Sequence, residues 1–307
     1  MPATHFNRIC AVFLRVGLVV TLFSTLLYSY AAANNASKTP SKQQTKAPFW
    51  TSDSGAHTVP ATDIPILSSP PLSKEDRTLV RWCLARYGFW GVASEQEAAE
   101  MSAHKAAKRF FDRMPSAEIA RRLTPIRKAL YRGTRAYTSV SFVLAYYGID
   151  FEKNALRVVE SIHLMKHTPA KLQEAGFKPQ GQDPYGAQGV AGAVKTLYSR
   201  NHSAPLMRAY LRAPVDGFMA EDSLDTIGKL FLKYPGRLLV AASSPDDMKS
   251  LAECAYSVSG DWAKSNKPRR YPKVRRIIHN LEQSSDLNTA RLAKRFRRVY
   301  AIEVAQH

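Results

Sequence analysis

The feature that most limits the fold of this chain is a helical pattern that recurs from Ser73 to Val304. Most runs begin with a helix-capping segment, continue with apolar residues spaced three and four apart, and end at glycine or proline. The first run starts at Ser73-Lys74-Glu75-Asp76 and stops at Gly88. No two segments show the alternation of apolar and polar residues that paired strands require. We therefore predict an all-α fold.

The predicted helices differ in how clearly their ends are marked. Ser94 and Ser116 begin the second and third runs, and Thr124-Pro125 predicts a fresh helix start because proline is tolerated at the first helical position. Arg237 to Ala242 is short and apolar, so periodicity alone also permits a buried strand there. The other late helices are predicted at Thr168 to Gly176, Ala187 to Tyr198, Pro205 to Leu211, Ser223 to Tyr234, Pro245 to Tyr256, Tyr271 to Gln283 and Leu287 to Val304.

The segment from Ala136 to Tyr147 is unusually apolar and is ended by Gly148. It is too short to span a bilayer, which takes about 20 apolar residues. We expect it to be the central buried helix, packed by its successor from Phe151 to Met165. Successive helix hairpins of about 30 to 40 residues predict an irregular α-α superhelix of the HEAT-like kind. Because no repeat recurs at a fixed period, a single irregular helical bundle is the alternative.

Residues 1–33 have the composition of an export signal. Arg8 and Arg15 supply the positive n-region, Val16 to Leu27 forms the apolar core, and Ala31-Ala32-Ala33 provides a small-residue cleavage site. This pattern predicts a mature chain that begins at Asn34, which N-terminal sequencing of the cellular protein would check. The alternative is an uncleaved membrane anchor formed by residues 16–33. We expect the remaining chain to lie in the periplasm or the extracellular space.

Residues 34–72 have the composition of a disordered linker. Six prolines lie among many Ser, Thr, Lys and Gln residues, so the segment has too little apolar surface to offset the entropy of ordering. Phe49-Trp50 and the apolar residues Ile64, Ile66 and Leu67 are exceptions that could dock on the folded part. The sequence therefore predicts a flexible tether followed by a helical domain over residues 73–307.

The positive charge of the chain is concentrated near the C-terminus. The formal charge is +19, and removing the two arginines of residues 1–33 leaves +17. The segment from Lys264 to Arg298 contains twelve Lys and Arg residues and two acidic residues, which gives it a net charge of +10. In an exported protein this charge predicts contact with anionic lipid headgroups, lipopolysaccharide or acidic wall polymer rather than nucleic acid. A charge that serves only solubility is the alternative.

The basic C-terminal helices, over residues 264–304, supply the candidate binding residues. In the last helix four cations recur at i, i+3, i+4 and i+7, while Leu292, Phe296 and Val299 form a separate apolar stripe. In the preceding helix the apolar residues favour one buried side. The predicted anion-binding residues are Lys273, Arg275, Arg276, Arg291, Lys294, Arg295 and Arg298. A solvated helix face without a ligand is the alternative.

Glu160 lies in a pattern that also occurs in metal sites. With His163 it forms one E-x-x-H, and His167 follows one turn later. A di-iron bundle needs two such motifs on facing helices, and Glu100 with His104 has the wrong spacing for the second. We therefore predict that these residues have structural roles, with no metal and no cofactor.

The segment Leu156 to Ser161, LRVVES, resembles the catalytic stretch of lytic transglycosylases, and Gly186-Ala187-Gln188-Gly189 is similar to the start of that family's next motif. The resemblance implies that Glu160 acts as general acid and base on murein, which requires a buried carboxyl that holds its proton at neutral pH. It covers only these two short segments. The chain departs from the family's pattern at Val190-Ala191-Gly192 and at Ser243-Ser244-Pro245.

Other catalytic signatures are absent from the sequence. It contains no dinucleotide-binding glycine motif, P-loop, nucleophile elbow or paired C-x-x-C. Cys83 and Cys254, both in helical apolar patterns, are too few for a disulfide framework, so buried thiols and a single bridge remain open. We expect an exported, non-enzymatic helical scaffold that binds a protein partner or an anionic envelope surface. A murein-cleaving enzyme that uses Glu160 is the alternative.

Overall fold

The computed structural model describes residues 64, 66–88, 94–164, 189–214, 217–258 and 271–306. Their secondary structure consists of twelve α-helices with no strand, which confirms the all-α prediction for this part of the chain. The predicted signal, most of the predicted linker and the predicted helix at 168–176 lie outside these residues. The helices are α1 Lys74–Tyr87, α2 Ser94–Asp112, α3 Ser116–Ala129, α4 Arg135–Tyr146, α5 Phe151–Leu164, α6 Val190–Asn201, α7 Ala204–Leu211, α8 Gly217–Lys233, α9 Pro235–Ala241, α10 Pro245–Ser257, α11 Tyr271–Glu282 and α12 Leu287–Gln306.

Short polar side chains begin several of these helices. The Ser73 hydroxyl accepts a hydrogen bond from the Asp76 amide at 3.0 Å, as the capping-box pattern predicts. Thr134, Ser203 and Ser244 accept amide hydrogen bonds in the same way at the starts of α4, α7 and α10. Each cap satisfies one of the backbone donors that the first helical turn leaves unpaired.

Helix α4 lies at the centre of the N-terminal helices. Its residues from Arg135 to Ala145 are all buried, and it packs against α1, α3, α5 and α6. The Thr138 and Ser141 hydroxyls donate to backbone carbonyls one turn earlier, at 3.1 and 2.9 Å, so these polar atoms are satisfied within the core. Gly148 adopts a φ of 80° at the helix end, a conformation that favours glycine. The prediction of a central buried helix packed by its successor is confirmed.

The later helices form a second packed group that α5 joins to the first. Helix α5 contacts α4 and also α6 and α7. Among the later helices, α8 packs against α10, and α12 contacts α9, α10 and α11. Helices α8 and α10 approach each other closely at Gly228, where an added Cβ would stand 2.5 Å from the Cys254 carbonyl oxygen. The absence of a side chain at Gly228 therefore sets the distance between these two helices.

Two sequence expectations need correction. The segment from Arg237 to Ala242 belongs to α9 and its end, so the strand interpretation is wrong. Pro125 lies inside a continuous α3 and does not start a new helix. Proline removes one backbone bond, the one to the Arg121 carbonyl. Because Arg121 is exposed, water can reach that region of the helix, which lowers the cost of the missing bond.

The described end of the predicted linker docks on the end of α3. The Tyr131 amide donates to the Leu67 carbonyl at 3.1 Å, and the Ser69 amide donates to the Ala129 carbonyl at 2.8 Å. Ser68 and Leu130 thereby form an isolated antiparallel bridge rather than a strand. The expectation that Leu67 could dock on the folded part is confirmed.

Cys83 on α1 and Cys254 on α10 are buried free thiols. Burial raises the pKa of both thiols, since a thiolate would be poorly solvated there. The disulfide alternative is therefore wrong. Among the described residues, none of the helices combines the length and the apolar character needed to cross a bilayer.

Candidate functional site

The last helix, α12, separates its charged and apolar residues as the sequence predicts. Leu292 and Phe296 are buried, and the Phe296 ring lies 5.2 Å from the Phe231 ring of α8. The four predicted cations, Arg291, Lys294, Arg295 and Arg298, are all exposed. Because α12 is anchored through its apolar stripe, these four charges are held on its outer side.

Helix α11 is arranged in the same way. Val274 and Ile278 are buried on its inner side. The three predicted cations, Lys273, Arg275 and Arg276, are exposed. The basic residues from Lys264 to Arg270 lie outside the described part of the chain. The structure thus exposes all seven residues predicted to bind anions.

The first turn of α12 is fixed by Asp286. Its carboxylate accepts hydrogen bonds from the Thr289 hydroxyl at 2.5 Å and from the Asn288 and Thr289 amides at 3.1 and 3.2 Å. These bonds, with the Thr289 hydroxyl first, lower the pKa of Asp286. Since the carboxylate is occupied by the helix start, it caps α12 and does not pair with the four cations.

A groove of about 430 Å³ lies beside the cations of α12. Arg291 and Arg295 line it, and each guanidinium is held by a neighbour. Arg295 donates to the Ser243 carbonyl at 3.3 Å, and Arg291 donates to the Asn288 side-chain oxygen at 3.1 Å. Val240 and Leu292 complete an apolar wall. Two guanidinium groups at one groove are suited to phosphate or carboxylate, which they can bind through paired N–H donors.

The four cations of α12 form no ion pair with a carboxylate in the part of the chain that the structure describes. Arg297, on another side of the same helix, does pair with Glu282, with Nε 3.2 Å from Oε1. Cations elsewhere are often matched: Arg121 and Arg122 both bind Glu118 and lower its pKa to about 2. The outer side of α12 therefore carries positive charge that no carboxylate of the described residues neutralises.

Glu160 is partly exposed on α5 and is bound by an arginine. Arg132, in the turn before α4, donates from Nε at 2.9 Å and also from Nη2. The carboxylate in turn raises the pKa of Arg132. The neighbouring Ser161 is buried and donates to the Val158 carbonyl at 2.7 Å. Both oxygens of the Glu160 carboxylate are therefore engaged by Arg132, whereas a general acid must present its carboxyl group to a substrate.

The histidines of the E-x-x-H pattern do not form a cluster of metal-ligating side chains with Glu160 in the described residues. His163 is exposed, His167 lies outside those residues, and His104 contacts Arg86 instead. Nowhere in the described ranges do three or more His, Cys, Asp or Glu side chains converge as metal ligands would.

Sequence reasoning missed a buried cluster around Arg86 on α1. The Arg86 guanidinium lies 4.2 Å from the Tyr146 ring centroid, and its Nη1 is 3.1 Å from His104 Nε2. The Arg200 guanidinium also lies 4.2 Å from the Tyr146 ring, so two cations contact one aromatic side chain. Arg86 follows Cys83 by three residues and so falls on the apolar side of α1. That spacing was the available signal for its burial.

No protein-family profile, curated protein or solved structure matches this chain. The candidate site is therefore identified from the charge and geometry of its own residues.

Proposed function

We propose that this chain is an exported, non-enzymatic helical scaffold that attaches to an anionic envelope surface through α12, with α11 contributing further charge. In this proposal residues 1–33 act as the export signal and residues 34–63 as the tether. The helices stack as an irregular superhelix or bundle and present a surface to a protein partner. The observation that carries the proposal is the set of four exposed cations on α12, none of which pairs with a carboxylate within the described ranges.

The strength of such an attachment follows from the number of charges. Each basic residue near an anionic membrane contributes about 1 kcal/mol, so four contribute about 4 kcal/mol if all engage together. That free energy corresponds to a change of about a thousandfold in binding constant. Exposed charges are screened by salt, so the attachment should weaken as ionic strength rises.

The absence of catalysis in this proposal is supported by the environment of Glu160. The Arg132 guanidinium donates hydrogen bonds to both oxygens of Glu160, the carboxylate that the sequence analysis considers as a catalytic acid. Attachment through α12 does not depend on that residue.

Salt elution from a polyanionic resin tests the attachment. One variant reverses Arg291, Lys294, Arg295 and Arg298 to glutamate. The control variant reverses four other exposed cations, Arg77, Arg81, Lys105 and Arg109, and so has the same net charge. If α12 is the attachment surface, the first variant elutes at clearly lower salt than the control. Equal elution of the two variants would show that only net charge matters and would remove the proposal.

A further inference from the structure

The two most exposed large apolar side chains of the described residues lie on the same helix as the four cations of α12. Among the described residues five large apolar side chains are exposed, and Leu287 and Ile302 of α12 exceed the rest at 83% and 60%. The others are Met101 at 42%, Val240 at 41% and Leu156 at 38%. Single exposed apolar residues are ordinary on protein surfaces, so the position of these two relative to the charges decides whether they matter.

Both residues fall in line with the basic stripe. Leu287 precedes Arg291 by one turn, and Ile302 follows Arg298 by one turn, so residues 287, 291, 294, 298 and 302 share one side of the helix. The stripe thus has an apolar residue at each end, about 22 Å apart at the rise of an α-helix. Val240, a third exposed apolar side chain, lines the groove beside Arg291 and Arg295.

The three acidic residues of α11, α12 and the turn between them do not pair with the four cations, and Glu282 pairs with Arg297 instead. Asp286 is occupied by the start of α12, and Glu303 is buried. Among the residues that the structure describes, the outer side of the helix is therefore cationic and apolar, with no carboxylate on it.

This combination distinguishes a lipid surface from a dissolved polyanion. A polymer such as a wall polyanion would contact the cations alone and leave Leu287 and Ile302 in water. A bilayer interface offers phosphate groups to the cations and acyl chains to apolar side chains that lie a few ångströms deeper. Long basic side chains can reach the headgroups while their helix lies at the boundary.

We propose that the outer side of α12 lies in the interface of an anionic phospholipid bilayer. The groove between Arg291 and Arg295 holds a headgroup phosphate, and Leu287 and Ile302 enter the acyl region. The inference rests on the proposed attachment through α12 and names its anionic surface as lipid.

A dye at position 302 tests the insertion in the full chain. Ile302→Cys is combined with Cys10→Ser and labelled with a fluorophore that responds to polarity, while the buried Cys83 and Cys254 remain unlabelled. We expect the emission to shift to the blue with vesicles of phosphatidylglycerol and phosphatidylcholine, and not with phosphatidylcholine alone. The same label at Leu156→Cys, an exposed apolar position on α5, should not shift with either vesicle.

Adding Leu287→Ser to the labelled chain should raise the vesicle concentration for half of the shift by about fivefold, because one apolar contact with the acyl region is lost. Met101→Ser, on α2, should leave it unchanged. An absent shift at 302, or an equal shift on neutral vesicles, would overturn the inference. If the resin result nevertheless holds, the attachment through α12 stands without lipid insertion. If the charge-reversed variant elutes with its control, the attachment itself fails.

Discussion

Arg212 and Asp247 form a two-point ion pair that joins the end of α7 to the first turn of α10. Nε of Arg212 lies 2.7 Å from Oδ1, and Nη2 lies 2.7 Å from Oδ2. The Asp247 side chain is fully buried, whereas Arg212 is largely exposed. Asp247 thus has its charge matched at a helix N-terminus, where a carboxylate is also favoured by the helix dipole.

Replacing Asp247 should destabilise the fold, and more so at neutral than at acidic pH. We expect Asp247→Asn to lower the free energy of unfolding by about 2 kcal/mol, the range for a hydrogen bond to a charged group. Arg212 lowers the pKa of Asp247 below its ordinary 3.8. The stabilisation is therefore complete above that ordinary value and is lost as pH falls through the lowered pKa.

Urea unfolding of wild type and variant across acidic and neutral pH measures both effects. The exposed neighbour Asp246→Asn is the matched control and should change stability little. If the difference in free energy of unfolding between wild type and Asp247→Asn does not decrease at acidic pH, the stabilising role of the Arg212–Asp247 ion pair is contradicted.

Gly228→Ala should force α8 and α10 apart. The added Cβ would lie 2.4 Å from a Val258 methyl carbon and 2.5 Å from the Cys254 carbonyl, too close for backbone atoms to accommodate in place. The steric clash should lower the free energy of unfolding by about 3 kcal/mol. Replacing glycine by alanine in a helix should raise it by about 1 kcal/mol, so a net destabilisation is expected. Thermal unfolding measures this net change.

Gly236→Ala on α9 is the control for this comparison, because its added Cβ would meet ordinary contacts at 3.6 and 3.7 Å. It should be neutral or slightly stabilising. Equal melting temperatures for the two variants would show that the close approach at Gly228 is not maintained in solution.

The contact of Arg86 with His104 should make stability depend on pH near neutrality. Arg86 Nη1 can donate to His104 Nε2 only when the imidazole is neutral. Burial, and then the charge of Arg86, lower the pKa of His104 from its ordinary 6.5. The contribution is therefore present above 6.5 and is lost as pH falls through the lowered pKa.

Wild type should lose stability over this range relative to His104→Gln, which cannot gain a proton. Denaturant midpoints measured from neutral to mildly acidic pH test the prediction. His279→Gln, at an exposed position on α11, should behave like wild type. If the denaturant midpoints of wild type and His104→Gln fall equally as pH is lowered, the hydrogen bond between Arg86 and His104 does not contribute to stability.

Glu160→Gln should leave murein release unchanged at the background level of the wild type, because the Arg132 guanidinium binds both oxygens of the Glu160 carboxylate. A soluble-product assay on purified murein compares the two proteins. The variant should lose at most about 1 kcal/mol of stability, since the Arg132 side chain is largely exposed. Release by the wild type that disappears in the variant would establish the enzyme alternative instead.

Helical periodicity was a sufficient guide where one face of a helix meets the core. It predicted α4 as a buried centre and the separation of Leu292 and Phe296 from Arg291 and Arg295 on α12. These features depend only on local spacing, because an amphipathic helix has one way to bury its apolar side. The same reasoning predicted the exposure of the candidate anion-binding residues, while binding by them remains a prediction.

Features that depend on partners distant in the sequence could not be predicted. The RLLVAA segment is helical because α9 packs between α7 and α12, and a run of five apolar residues does not reveal those neighbours. Burial of Arg86 required the Tyr146 ring sixty positions along the chain, and the need for Gly228 arises from the Cys254 carbonyl. Pro125 is tolerated inside α3 because the bond it removes lies at an exposed turn.

Helix α5 packs against α4 of the early group and against α6 and α7 of the late group. Its residues Val158, Val159 and Ile162 are almost completely buried. If the early helices opened, α5 would lose half of its packing and expose the surface on which the late helices rest. The two groups are therefore thermodynamically coupled, so that neither has a complete hydrophobic core in the absence of the other.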